Sequence, residues 1–384
     1  MSGFAVTITD NQLVPVTRGE LSSEITGLSL KTVHPGGDSD LDFTLHRPVT
    51  YVPVELYPLG FGFRVDVHDE EGIFWSGRIE KVMSHVSTAG TYYRITARGW
   101  GVNLADQIAA TQDVAGLQSS AIVANAITNL TQQIDGSNIA TSGFTFTSAQ
   151  PITLAMMTPA QQIAWAVAFG DSNNTQQLYY SYPENDGRRM FTLKPRPSEP
   201  DLFCEVSTFE LAEFGFDGQF AANRVDLQYS SGGGLTAQFN DTALQGAGPE
   251  GWGFIKSVKQ VLRELTQPAD AAQIGAAQLA ISQVLKLTAT SLRCRSNTVF
   301  RDANGQFIPL HRIRSGMVLQ FIDIIPVEGQ VGAGLTYANS CLIVGTSYDE
   351  DGQTLAITQE SFQSRFEYLF GKVFNVLSGE HGVH

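Results

Sequence analysis

The chain has 384 residues, with 24 Lys and Arg against 38 Asp and Glu and a formal net charge of −14; that length suits about two to three domains. The charge balance argues against duplex nucleic acid as the main partner, because phosphate binding needs clustered Lys and Arg, and a hydrophobic share of 42% argues against disorder. Charged residues make up only 16%, so the surface is either neutral and polar or given over to partners, whose contact cores are poor in charge.

Residues 1–107 read as β-structure. Phe43, Leu45 and Arg47 alternate with polar neighbours, and Phe63, Val65 and Val67 alternate with Arg64, Asp66 and His68. Asp69-Glu70-Glu71-Gly72 supplies a turn, residues 73–75 start the return strand, and runs at 79–83 and 92–97 follow around a turn carrying Gly90. Short strands joined by hairpin turns predict a small barrel or sandwich.

Residues 108–222 read as an inserted α+β lobe. Ser119 or Ser120 caps a helix in which Ile122, Val123, Ala126, Ile127 and Leu130 share one face. A second helix opens at Thr158, with Pro159 at the first helical position, Gln161 completing a capping box and Gly170 placed to end it. Strands follow at 177–182 and 189–194 around Asn185-Asp186-Gly187. No Lys or Arg occurs from 99 to 187, and Asp135 is the only charged residue between Val114 and Gly170. A solvated helix carries charge opposite its apolar stripe. Here those positions hold Asn, Gln, Thr and Ser, so the lobe reads as a packed, partner-facing body; a solvated Gln/Thr-rich face is the plainer alternative.

The β pattern returns over 223–360, opening with Arg224-Val225-Asp226-Leu227-Gln228-Tyr229 and a Gly-rich stretch that includes Gly232, Gly233 and Gly234. A helical insertion is expected over 254–285. Pro268 opens its second half, in which Ile274, Ala277, Ile281 and Val284 recur on one face. Residues 286–358 are β again, with Asn304-Gly305 as a hairpin turn. In the last segment, 361–384, Phe362, Phe366, Phe370 and Phe374 stand at i+4 spacing and define one drifting helical face. That face either docks on its own domain or anchors a subunit or partner contact.

No catalytic or cofactor motif stands out: HExxH, paired CxxC, GxxxxGK[ST] and GxSxG are absent. Cys204, Cys294 and Cys341 read as small core residues in a reducing compartment. Asp66, His68, Asp69, Glu70 and Glu71 cluster like metal ligands, but alternate strand residues point to opposite faces and acids are common at turns, so no metal is expected. His311 with Arg312 and Arg314 reads as a solvated turn rather than an anion site. Gly232 to Gly234 lack the helix and Lys of a phosphate cradle. The start of the chain shows no signal-peptide pattern, and no segment is long and apolar enough to span a membrane, so synthesis and assembly in a cytoplasm are expected.

The two β regions resemble each other. The first runs 63–67, 75–79 and 92–97, and the second 317–321, 343–347 and 354–358, each with a glycine midway along the middle strand: Gly77 and Gly345. Such a glycine marks a bulge or a bend at a barrel corner. Duplication has a geometric consequence: three chains present six similar β units, so a threefold assembly can dock onto a sixfold one.

This order, with Asn223 to Val225, Asn304 to Leu310 and Ile313 to Val318 as matching pieces, resembles the baseplate hub and tail-tip hub proteins of tailed bacteriophages and related contractile injection systems. The resemblance implies an α+β, mainly β fold: two small tube-like β-barrels, an inserted α+β lobe and a helical connection. It also implies a homotrimeric virion protein; from the absence of motifs, no catalytic residue and no cofactor are expected. The pseudo-sixfold ring would join the hexameric tail tube or distal tail ring to a tip spike or fibre, with DNA only in passage through its lumen, which the net charge of −14 predicts to be acidic. Any hydrolase or fibre would then be a separate protein. The alternatives are a hexameric distal tail ring protein, a cell-wall-degrading enzyme, and a glycan-binding β module using Trp75, Trp100, Trp165 or Trp252 as platforms, although tryptophan is more often core.

Overall fold

The computed structural model describes residues 4–10, 25–48, 59–88, 90–130, 134–139, 153–168, 177–197, 199–215, 221–229, 234–247, 251–262, 268–282, 285–322, 335–337 and 340–360. The first β region holds β1 (Ala5–Thr9), β2 (Ile25–Val33), β3 (Gly36–Pro48), β4 (Arg64–Asp69), β5 (Gly72–Ser87) and β6 (Gly90–Gly99). A short α1 (Asn103–Asp106), β7 (Gln112–Asp113), α2 (Ser119–Ile127), β8 (Gly136–Ile139), β9 (Thr153–Leu154), α3 (Pro159–Ala168), β10 (Gln177–Pro183) and β11 (Arg189–Pro195) follow. The chain returns through β12 (Leu202–Cys204) and β13 (Leu211–Gly215). A second excursion holds β14 (Arg224–Tyr229), β15 (Leu235–Asn240), α4 (Thr242–Gln245), β16 (Ser257–Leu262) and α5 (Pro268–Ser282). The last strands are β17 (Leu285–Arg295), β18 (Phe300–Arg301), β19 (Phe307–Ile308), β20 (Val318–Phe321), β21 (Leu335–Tyr337), β22 (Ser340–Asp349) and β23 (Thr354–Gln359).

The internal repeat is written in the strand pairing. In the first region the neighbours run β4-β5-β6-β3-β2, antiparallel at every step. In the second they run β20-β22-β23-β17-β13, again antiparallel throughout. Taken in chain order, β2, β3, β4, β5 and β6 therefore correspond to β13, β17, β20, β22 and β23. Backbone bonds fix the match by residue. The Gly62 amide donates to the Ile79 carbonyl and the Ile79 amide to Phe63; the Gly316 amide donates to Ile343 and the Ile343 amide to Met317. Gly62 and Gly316 both take positive φ, 82° and 88°, where a side chain would be strained. Past each isoleucine the ladder slips at the same step, between Ile79 and Lys81 and between Ile343 and Gly345.

This geometry corrects the alignment expected from the glycines. Gly345 flanks its bulge, but its counterpart is Lys81, not Gly77. Gly77 serves close approach instead: a Cβ there would lie 2.2 Å from the Arg98 carbonyl oxygen.

The halves are not separate barrels. β2 pairs antiparallel with β22, from Ser29↔Asp349 to Val33↔Gly345, so 18 of the described strands form one sheet with no ring closure among them, while β14, β15 and β16 form a three-stranded sheet and β7 and β9 a two-stranded one. Among the described residues neither half closes into the barrel expected from the strand rhythm, and the outer edge of β2 pairs instead with β22 of the other half. Val65, Trp75 and Ile95 share one core with Leu319, Ile343 and Leu355. A second core joins Ile122, Ile163, Trp165 and Phe191 of the inserted lobe to Leu227 and Ile274.

Local signals account for much of the lobe. The Thr158 amide donates to Gln161 Oε1 and the Gln161 amide to Thr158 Oγ1, at 2.8 and 3.3 Å, forming the capping box. The end of that helix at Gly170 lies outside the described residues. Ahead of α2 the N-cap is Gln118, with no side-chain cap, and Ser119 and Ser120 are buried in the first turn. The helix expected over 254–285 is confined to α5. Residues 257–261 instead alternate in exposure with period two, and Ser257–Leu262 pairs parallel with β14 as β16, a pattern that suits a strand.

Candidate functional site

The regions meet in a layer of buried polar groups. At the β4–β5 turn, Asp69 Oδ2 accepts from Arg312 Nε at 2.8 Å and lies 2.8 Å from His311 Nε2, while Oδ1 accepts from Arg312 Nη2. Burial alone would raise this carboxyl, but the bonds from Arg312 and His311 hold it far below the usual carboxylate range. Burial in turn holds His311 below its ordinary value, against the pull of Asp69. The imidazole is walled by Phe4 and Phe74, with ring centroids 4.6 and 4.7 Å away. Of the acids and the basic triplet noted in the sequence, Asp69 meets His311 and Arg312 across the two β regions, with Glu71 Oε2 3.3 Å from Arg312 Nε, so His311 and Arg312 are not the solvated turn expected from the sequence. The acids divide as strand alternation requires: Asp66 is buried and accepts from Arg64 Nε and Ser76 Oγ, at 2.9 and 2.5 Å. No group of metal-ligating side chains occurs among the described residues.

A second knot lies deeper. Tyr182 of β10 donates to Ser315, the Ser315 amide donates to Thr32 Oγ1 at 2.8 Å, and Thr32 shares a 2.7 Å bond with Thr346 across the β2–β22 pair. Arg314 reaches the Phe74 carbonyl and its guanidinium sits 4.9 Å from the Tyr182 ring centre. Asp38 is buried beside it, with Oδ2 accepting from the Ser76 amide at 3.2 Å and Oδ1 lacking a hydrogen bond among the described residues. Burial pushes this carboxyl up to about 7, opposed by Arg314. The inserted lobe is fastened to the first region by Arg64 donating to the Gly187 carbonyl at 2.8 Å and by the Ile73 amide on Asn185. Within the lobe, Arg189 forms a forked pair with Asp135, whose carboxyl it lowers to about 2, and it also stacks over Trp100 of the first region.

These contacts tie β2, β10 and β22 to residues 314–315. None of the knot was legible in the sequence, because Thr32, Ser315 and Tyr182 carry no chemical motif. The available signal was phase: Thr32 falls on the inward side of β2 with Leu28 and Leu30.

The remaining sequence candidates fall into place separately. Trp75, Trp100 and Trp165 are buried and offer no platform; Trp252 is half-buried. The three cysteines are buried and unbridged, with burial pushing Cys341 up to about 12. An open cleft of about 380 Å³ lies between the lobe and the second β region, lined by Tyr180, Tyr182, Lys194, Asp201, Arg314 and Met317. No helix among the described residues is long and apolar enough to cross a membrane. Phe362, Phe366, Phe370 and Phe374 lie outside the described residues.

The fold is similar to that of several solved tail proteins, in keeping with the resemblance to tail-tip and baseplate hub proteins. The tail protein from Neisseria meningitidis MC58 matches at a TM-score of 0.61 and 15% identity, over 93% of this chain and 97% of that one. The 43 kDa tail protein of prophage MuSo2 from Shewanella oneidensis matches at 0.58 and 12%, over 94% and 98%. The prophage tail protein gp18 from Listeria monocytogenes EGD-e matches at 0.57 and 11%, over 98% and 100%. At these identities the likeness is one of fold. No protein-family description and no curated protein sequence matches the chain.

Proposed function

We propose that the chain is a structural tail protein of a virion, a homotrimeric hub whose ring joins the hexameric tail tube to the tip spike or fibre. The observation that carries this reading is the duplicated strand order, with matching bonds at Ile79 and Ile343. Two equivalent β units per chain let three chains present six equivalent positions to a sixfold tube. The units are then tube-like rather than barrels in themselves, completing their sheets only against neighbours. The polar knot around Asp69 and Thr32 suits such a part, since it holds the units and the lobe in one fixed geometry.

A hexameric distal ring protein needs one such unit per chain, not two. The net charge of −14 supports a lumen richer in Asp and Glu than in Lys and Arg, which lets DNA pass without adhering. Phe362, Phe366, Phe370 and Phe374 are proposed as anchors to a neighbouring subunit or tail protein, leaving the sheet at Glu360, which pairs with Arg196 at 2.6 Å. Truncation after Glu360 then weakens assembly; unchanged assembly and solubility would refute that role.

Native mass measurement of the purified chain tests the main reading. Threefold the chain mass supports the hub, and sixfold mass supports the distal ring. Binding to glycans by a monomer, or release of glycan or peptide fragments from cell walls, would replace the structural reading.

A further inference from the structure

The β2–β22 pairing is a junction between two equivalent units, and it defines a rule for joining them. An edge of the β2 type in one unit meets the outer half of a β5-type strand in the next. Within β22, residues 340–342 pair with β20, and residues 345–349, beyond the bulge, pair with β2. β5 is built alike: Gly72–Arg78 pairs with β4, and beyond its bulge residues 81–87 pair with β6 on one side only. β13, the counterpart of β2, pairs with β17 on one side. No strand pairing is described along the other side of either segment. Each chain thus carries one half of the junction on β5 and the complementary half on β13.

Apolar exposure falls on the same two edges. Met83 and Val86 of β5 are 44% and 81% exposed, and Leu211 of β13 is 42% exposed. Partly apolar strand edges at a sheet's margin invite pairing with another chain.

From this we infer that β13 of one copy of the chain pairs antiparallel with residues 81–87 of β5 in the next copy, in a register fixed by the internal junction. Phe43 and Leu292 are equivalent, because each faces the isoleucine of an equivalent strand, Ile95 or Ile357. Ser29 pairs with Asp42, just before Phe43, and Glu213 pairs with Ser291, just before Leu292. Glu213 and Phe214 therefore take the places of Ser29 and Leu30. The offset between Ile343 and Ile79 puts His85 and Ser84 in the places of Asp349 and Tyr348. The pairs across the seam are Glu213↔His85 and Phe214↔Ser84, the first bringing an acid opposite an imidazole. The contact is head-to-tail, the kind that generates rings. The inference rests on the trimeric reading, and it specifies which backbone edges close the ring.

Paired cysteines test the register. Two variants, Glu213→Cys with His85→Cys and Phe214→Cys with Ser84→Cys, are compared with an offset control, Phe214→Cys with Val86→Cys. The native cysteines are buried. After mild oxidation, at least one in-register variant gives covalent dimers and trimers on a non-reducing gel, about tenfold or more above the control, since disulfides tolerate only a narrow Cα separation. Hydrogen exchange of the unaltered chain needs no folding of a variant: amides of 81–87 and 211–215 become protected in the assembled form relative to a diluted one. Threefold native mass with open edges and no register preference would overturn the seam and leave the trimer standing. A chain that stays monomeric at high concentration, with neither cross-link nor protection, would overturn both.

Discussion

Asp69 and Arg312 meet across 243 residues of sequence, the carboxylate at the β4–β5 turn gripped by both Nε and Nη2 of the guanidinium. The pair ties the first β region to the second, and His311 completes the clamp from the same side.

Asp69→Ala leaves Arg312 and His311 without their acceptor in a largely enclosed setting. Its expected cost is about 2–4 kcal/mol, because removing one partner strands the other. Urea denaturation followed by tryptophan fluorescence measures it. A change below about 0.5 kcal/mol, the level of ordinary surface substitutions, would mean that the clamp does not hold the regions together.

The buried carboxylates set opposing pH dependences. Asp38 is raised in the folded chain to about 7, so its contribution is fully present below its unfolded value and is lost as pH rises through about 7. Asp69 and Asp135 are lowered, the latter to about 2; their contributions are present above the unfolded carboxylate value and are lost as pH falls into the acid range. Asp38→Asn flattens the loss between pH 5 and 8 and raises stability at pH 8 by about 1–3 kcal/mol. Thermal melts across pH for the two chains read this directly, and parallel curves would show that Asp38 is not the group responsible.

The glycines singled out by the sequence separate in their consequences. Gly77→Ala drives a methyl into the Arg98 carbonyl and into Trp75, and costs about 2–4 kcal/mol, since backbone must move. At Gly345 the nearest atom to an added Cβ is 3.5 Å away, so Gly345→Ala changes stability by less than about 1 kcal/mol. Equal effects in paired denaturation curves would contradict the assigned geometry.

Local pattern accounts for what the sequence made legible. The capping box at Thr158 and Gln161, the strands β10, β11 and β14, and the turns at Gly72 and Gly305 depend on neighbouring residues, and they stand where expected. Thr158→Ala accordingly costs about 1 kcal/mol, measured by the same denaturation. Pairing over long separation was harder to read. The strand β16 hid inside an expected helix because its partner β14 lies some 30 residues upstream. The repeat was visible as a rhythm of strands, but its register depended on the bulges after Ile79 and Ile343, which no residue type announces. The site was the least legible part. Asp69, His311 and Arg312 stand far apart in the sequence, and only the fold shows that they face one another.

Class-averaged electron micrographs of the purified assembly test the hub directly. A hub built from this chain shows a threefold ring with a central hole and six alternating β units around it. A solid particle, or a ring whose two units per chain fail to superpose on one another, would contradict it.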